Sequence, residues 1–280
     1  IPNTLKTVVL STANNITLIP MGAFESCYTL RSVNIPSTVT EIKSVSFMGC
    51  DRLILDVPST VATIGSNAFY NVYYISYHGA AYDEFFWGAS HHNGTADANG
   101  FVYSDSATTL YCYIGSNTEI TIPSSFTNIA SNAFMYSPAK KVTTGNNMTS
   151  IDSYAFNYSD IEKITIRNNI TSIDGYAFSN CAKLNDVTFL GSGLTTIGNS
   201  AFQDCDSLVS ISVPSGVTSI GTSAFYSCDS LETITIENAS ATIAAYVFTE
   251  CENLLTIHYN GDTTNAPWGA PNPNVRVLPI

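Results

Sequence analysis

His91 and His92, with Asp83, Glu84 and Asp97 nearby, have the side-chain types of a metal site. Adjacent histidines point in different directions, however, and no H-x-x-x-H spacing accompanies them, so the segment reads as a loop. No G-x-S-x-G, H-E-x-x-H, phosphate-binding loop or dinucleotide fingerprint occurs. A paired-carboxylate glycosidase would need a deep cleft between its acids, which stacked short repeats do not obviously supply. The sequence therefore assigns no catalytic, cofactor-binding or metal residue, and the chain is expected not to be an enzyme. Recognition chemistry is better represented. The run from Tyr70 to Trp87 concentrates Tyr70, Tyr73, Tyr74, Tyr77, Tyr82, Phe85, Phe86 and Trp87. Exposed rings of this kind anchor protein interfaces and stack on sugars, and the same rings also fill cores. Tyr74, Tyr77, Tyr82 and Trp87 are the candidate aromatic patch.

The elements that must carry these residues come from one repeating unit, clearest in Cys205–Phe225, CDSLVSISVPSGVTSIGTSAF. Its template is C-x-x-L-x-x-I-x-V-P-x-x-V-x-x-I-x-x-x-A-F. The pair Ile211 and Val213, two apart, suits a very short strand with one buried face, and the wider spacings suit tight turns or a partial helix. A unit this short buries its apolar face only by stacking on copies of itself. Phenylalanines preceded by a small residue recur at positions 24, 47, 69, 134, 156, 178, 202, 225 and 248, spaced by 22 to 24 except for the jump from 69 to 134. The expected fold is a right-handed leucine-rich-repeat solenoid, mainly β, with short parallel strands on one side and turns or short helical segments on the other.

Residues 1–69 and 119–259 are read as repeat arrays, 70–118 as a cap-like or enlarged repeat containing a β-hairpin, and 260–280 as a C-terminal cap. Trp87-Gly88-Ala89 and Trp268-Gly269-Ala270 match each other across the two irregular segments. Two alternating runs flanking a polar turn between Gly100 and Ile114 suggest the hairpin. In the third unit the spacing from Leu53 to Pro58 is one residue short, which suggests a local flip of register and a bend. Asp152–Phe156 and Gly198–Phe202 suggest helical turns on the convex side.

Alternation along the strands writes out the expected concave face. One column holds Asn34, Asp56, Thr121, Thr143, Thr165, Thr188, Ser212, Thr235 and His258, and its neighbour contributes Glu119, Lys141, Lys163 and Asp186. A long polar strip of strands suits protein recognition, although threonine also simply favours exposed strand positions. The charges beside the threonines break the regularity that an ice-binding array would need.

The template resembles the BspA-like (treponemal-type) leucine-rich repeats of bacterial and trichomonad surface proteins. That resemblance implies a secreted or cell-surface, adhesin-like binding protein. Its partner would be a host extracellular-matrix protein, another surface protein or a glycan. It brings no catalytic motif. Two other roles compatible with the sequence are a structural stalk displaying another domain and a carbohydrate-binding protein using the Tyr70–Trp87 region.

Composition narrows the classes. Only 11% of residues are charged, against an average of about 25%. The formal net charge of −12 opposes nucleic-acid and anionic-lipid partners, which need basic surfaces. No run of about 18 apolar residues could span a membrane. No leader is visible, and signal and anchor segments are expected to lie outside these residues. Of the seven cysteines, Cys27, Cys50, Cys181, Cys205, Cys228 and Cys251 share one repeat position and read as a column of buried free thiols. Cys112 stands apart from that column.

Overall fold

The computed structural model describes residues 4–11, 15–78, 95–103 and 106–280. The chain is a β-solenoid of about 11 turns, with no helix among the described residues. Two compact units comprise residues 1–94 and 95–280.

The first unit contains β1 (Thr7–Val9), β2 (Leu18–Ile19), β3 (Ser32–Asn34), β4 (Glu41–Ile42), β5 (Ile54–Val57), β6 (Thr63–Ile64) and β7 (Tyr74–Tyr77). The odd strands form one parallel ladder and β2, β4 and β6 a second. Each turn thus contributes a long strand to one side and a two-residue strand to another. The missing residue between Leu53 and Pro58 does not flip the register. Val33 pairs with Leu55 and Asn34 with Asp56, and Leu55 and Val57 remain buried. The deletion is absorbed ahead of β5, where no alternation has yet been established.

The second unit opens with β8 (Thr95–Ala96), β9 (Phe101–Tyr103) and β10 (Thr109–Tyr113), paired antiparallel with a register shift between Leu110 and Cys112. Long strands follow as β11 (Glu119–Thr121), β13 (Lys141–Thr143), β15 (Lys163–Ile166), β17 (Asp186–Phe189), β19 (Ser210–Val213), β21 (Thr233–Ile236), β23 (Thr256–Tyr259) and β24 (Arg276–Leu278). Two-residue strands alternate with them: β12 (Asn128–Ile129), β14 (Ser150–Ile151), β16 (Ser172–Ile173), β18 (Thr196–Ile197), β20 (Ser219–Ile220) and β22 (Thr242–Ile243). The short ladder runs unbroken from β22 to β10 and on into β9 and β8, whereas the long ladder is divided into β11–β17 and β19–β24.

The cores are columns, because each template position repeats once per turn. Phenylalanine rings stack face to face, 4.6 Å apart for Phe134 and Phe156 and 4.9 Å for Phe156 and Phe178. Trp268 ends the column edge-on against Phe248. Each buried ring contributes about 1.5–3 kcal/mol through burial and each stacked pair about 0.5–1.5 kcal/mol more. Threonines tie the turns together on the short-strand side: Thr149, Thr171 and Thr195 each donate through Oγ1 to the carbonyl of the preceding threonine in their column.

The convex segments are turns rather than helical pieces, for a backbone reason. Every repeat phenylalanine is bracketed by two residues of positive φ, two before it and two after. Tyr154 (62°) and Tyr158 (55°) flank Phe156, and Ser200 (53°) and Asp204 (55°) flank Phe202. A right-handed helical turn cannot contain such residues. The polar residue before Ala-Phe therefore marks a left-handed position, not a helix start.

Candidate functional site

The face of the second unit formed by β11, β13, β15 and β17 carries two rows of side chains in strict register. Ladder pairing aligns Glu119, Lys141, Lys163 and Asp186 in one row and Thr121, Thr143, Thr165 and Thr188 in the next. Strand alternation turns both rows outward while Val142 and Ile164 go into the core. A shallow depression of about 310 Å³ lies over these strands.

The charge order along the row is minus, plus, plus, minus. Lys141 and Lys163 lie directly opposite each other, which alone is unfavourable. Each is instead drawn to an acid on its outer side: Lys141 bonds Glu119, and Lys163 Nζ lies 3.0 Å from Asp186 Oδ2. Asp186 Oδ1 also accepts from Thr188 Oγ1 at 3.0 Å. The hydrogen bond from the Lys163 ammonium holds the Asp186 carboxyl below its usual range against the opposing effect of burial, with a lesser contribution from the Thr188 hydroxyl. Lys140–Glu162 and Lys183–Asp160, both 2.8 Å, add pairs between successive turns beside this row. The hydrogen bond from Lys140 and its charge lower the Glu162 carboxyl. All these side chains are substantially exposed, so solvent screens the pairs and they add little to stability. Their main effect is to order a charged surface.

The remaining polar candidates lie on other ladders. Ser212, Thr235 and His258 align across β19, β21 and β23, and His258 Nδ1 is 3.3 Å from the Pro279 carbonyl. Asn34 and Asp56 align in the first unit, with Asp56 Oδ1 2.6 Å from His78 Nε2. Two of the four residues of the aromatic patch are corrected by the structure. Tyr74 and Tyr77 are only 3% and 7% exposed, and Tyr77 donates its hydroxyl to the Val61 carbonyl at 2.8 Å. Tyr77 points inward with Ile75, whereas Tyr74 lies on the opposite face of β7 with Ser76; both rings are buried, so neither offers a face to a ligand. Tyr82, Trp87, Asp83, Glu84, His91 and His92 lie outside the described residues. Asp97 Oδ1 accepts from the backbone N–H groups of Asn99 and Phe101, a turn-forming arrangement. No group of three or more metal-ligating side chains occurs among the described residues.

The thiol column is part of the scaffold of the stack. All seven cysteines are buried and free. Cys181, Cys205, Cys228 and Cys251 donate through Sγ to the carbonyls of Phe156, Phe178, Phe202 and Phe225, one turn back, at 2.9–3.2 Å. Burial pushes the Cys50 and Cys181 thiols up to about 12.

A sequence profile of the BspA type leucine rich repeat region matches six copies across residues 3–78, 107–192 and 189–270. The chain belongs to the BspA-type leucine-rich repeat family.

Among solved structures, the chain is similar to a leucine rich cell surface protein from Faecalibacterium prausnitzii, with 27% identity and a TM-score of 0.51 over 95% of this chain. The match spans 63% of that protein's length. A leucine-rich repeat protein from Eubacterium ventriosum matches with 23% identity and a TM-score of 0.57, covering 91% of this chain and 78% of the other. Comparison with curated proteins found no match. The BspA-type family supports a repeat-based binding or scaffold role. No helix among the described residues is long and apolar enough to cross a membrane.

Two features of this BspA-type chain escape a sequence reading. On the turn side, Tyr154 stacks on Tyr176 at 4.9 Å and Tyr136 on Tyr158 at 5.6 Å. Their positions two before and two after Phe are the available signal. The other is the interruption between β17 and β19. Its signal is the 24-residue spacing from Phe178 to Phe202 with Gly191-Ser192-Gly193 inside it.

Proposed function

We propose that this chain is a secreted or surface-exposed, non-enzymatic binding protein of the adhesin-like kind, which recognises a macromolecular partner through its long-strand face. The observation that carries this reading is the registered row Glu119, Lys141, Lys163, Asp186 beside four threonines. Flat polar strands with ordered charges offer a broad contact and fix its register through electrostatic complementarity. The kinship with a cell-surface protein of F. prausnitzii supports a surface location. A host matrix or other surface protein is the partner class, with glycans as the competing ligand.

The test is binding of the purified chain to an array of extracellular-matrix proteins and glycans at two salt concentrations. A saturable protein hit, weaker at high salt and reduced at least tenfold by Lys141→Ala with Lys163→Ala, supports the reading. A hit indifferent to both substitutions counts against this face, and an array without a protein hit leaves the scaffold role.

A further inference from the structure

Within the second unit no ladder hydrogen bonds join β17 to β19, although these strands follow one another in the stack. After β17 and β21 the next residue donates to the strand before it, Leu190 to Ile166 and Glu237 to Val213. Pro214 follows β19 and has no N–H to give, but Pro58 stands in the same place after β5, which pairs with β3, so the proline alone does not open the ladder. The inserted Gly191-Ser192-Gly193 then wedges against its neighbours. A Cβ on Gly193 would come within 1.6 Å of the Asn168 carbonyl oxygen, and one on Gly216 within 1.7 Å of the Ser192 oxygen.

The result is a cleft of about 570 Å³ on the long-strand side. Its apolar wall comes from Val187 and Phe189, which are half-buried, whereas the equivalent Ile164, Ile166, Ile211 and Val213 are fully buried. One charged side chain lines it, Glu237. Its Oε1 accepts from Ser212 Oγ at 3.2 Å and its Oε2 from the Ser215 N–H at 3.1 Å. Each oxygen thus takes one bond, and a carboxylate with about four acceptor sites keeps one free on each.

We propose that this cleft receives an arginine side chain from a protein partner. A guanidinium matches a carboxylate with one open site on each oxygen, and its planar head and apolar stem pack on an aromatic wall. Charge complementarity favours it further. The chain carries 22 acidic against 10 basic residues, a balance that steers basic partners toward it. The inference rests on the protein-binding reading above and gives it a specificity pocket.

The probe is N-acetyl-arginine amide, titrated into the ¹⁵N-labelled full chain, with N-acetyl-norleucine amide as the uncharged control. Saturable shifts at the Gly191, Ser192 and Ser215 amides are expected with the arginine probe, and a response at least fivefold weaker with norleucine. Glu237→Gln, checked for an unchanged unfolding midpoint, should abolish the response. Ser192→Lys, which places a cation at the cleft, should do the same. Equal shifts from norleucine, or an undiminished response in both variants, overturn the proposal. On the matrix array, a protein bound equally by wild type and Glu237→Gln overturns the cleft alone. The absence of any protein hit overturns both readings.

Discussion

Cys205 Sγ donates to the carbonyl of Phe178, one turn earlier in the stack, at 3.2 Å. The same relationship links Cys228 to Phe202 and Cys251 to Phe225, so the conspicuous cysteines act as hydrogen-bond donors that join turns. Serine stands in this column at Ser137 and Ser159, both buried, and Ser159 Oγ lies 3.5 Å from Cys181 Sγ. Cys205→Ala should therefore cost about 1 kcal/mol, the net worth of one intramolecular hydrogen bond, read as a lower urea midpoint.

Reactivity follows from the same burial. The thiols are shielded, and burial pushes the pKa of Cys50, Cys112, Cys181, Cys205 and Cys228 upward. The native chain should resist iodoacetamide at pH 8, and all seven thiols should react in urea. The unfolded chain loses these protons first as pH rises through about 8.5. In that range it binds fewer protons than the native state, so stability should fall on the alkaline side. Denaturation midpoints at pH 7.5 and 10 check the sign; a higher midpoint at pH 10 would contradict it.

Phe156 lies between Phe134 and Phe178 in the ring column. Phe156→Ala should cost about 3–5 kcal/mol, and Phe156→Leu less, because leucine refills part of the void. Hydrogen exchange should show the loss spreading first to the adjoining turns, since stability in stacked repeats is a nearest-neighbour property.

The Asp186 carboxyl should titrate below the ordinary aspartate range, and Lys163→Met should raise it, as followed by carbon-detected NMR. Because its folded-state value is depressed, its contribution is present above the unfolded aspartate value of about 3.9. That contribution disappears as pH falls through the folded value. The pair is well exposed, so the stability effect should be small even where the NMR shift is clear.

Gly216→Ala would place a methyl on the Ser192 carbonyl oxygen. Overpacking of this kind costs about 1–3 kcal/mol, expected as a lowered thermal midpoint with local exchange concentrated at Gly191–Gly193. An unchanged midpoint would mean that the inserted loop yields freely.

The repeat was legible because Phe, Cys and the strand pair recur with a period that only stacking explains. The outward columns were legible because strand alternation is a two-residue rule, which by itself places Lys141 beside Lys163. Other features depend on what sequence patterns do not encode. The convex turns looked helical, since nothing in the letters Asp152–Phe156 announces positive φ at Tyr154. The short spacing before Pro58 looked like a register change, yet Leu55 keeps its inward place because the loss falls before the strand. Tyr74 and Tyr77 have the composition of a binding patch and the burial of a core. The opening beside β17 goes with the inserted Gly191-Ser192-Gly193 and with backbone approaches closer than a methyl group allows.

The uneven ladders of the second unit have a mechanical consequence. The short strands from β10 to β22 form an uninterrupted spine, while the long strands are severed between β17 and β19. A rod tied continuously along one side and cut on the other flexes at the cut. Tension along the stack is therefore carried by the threonine-stapled spine, and the Val187–Ser212 region is the compliant joint.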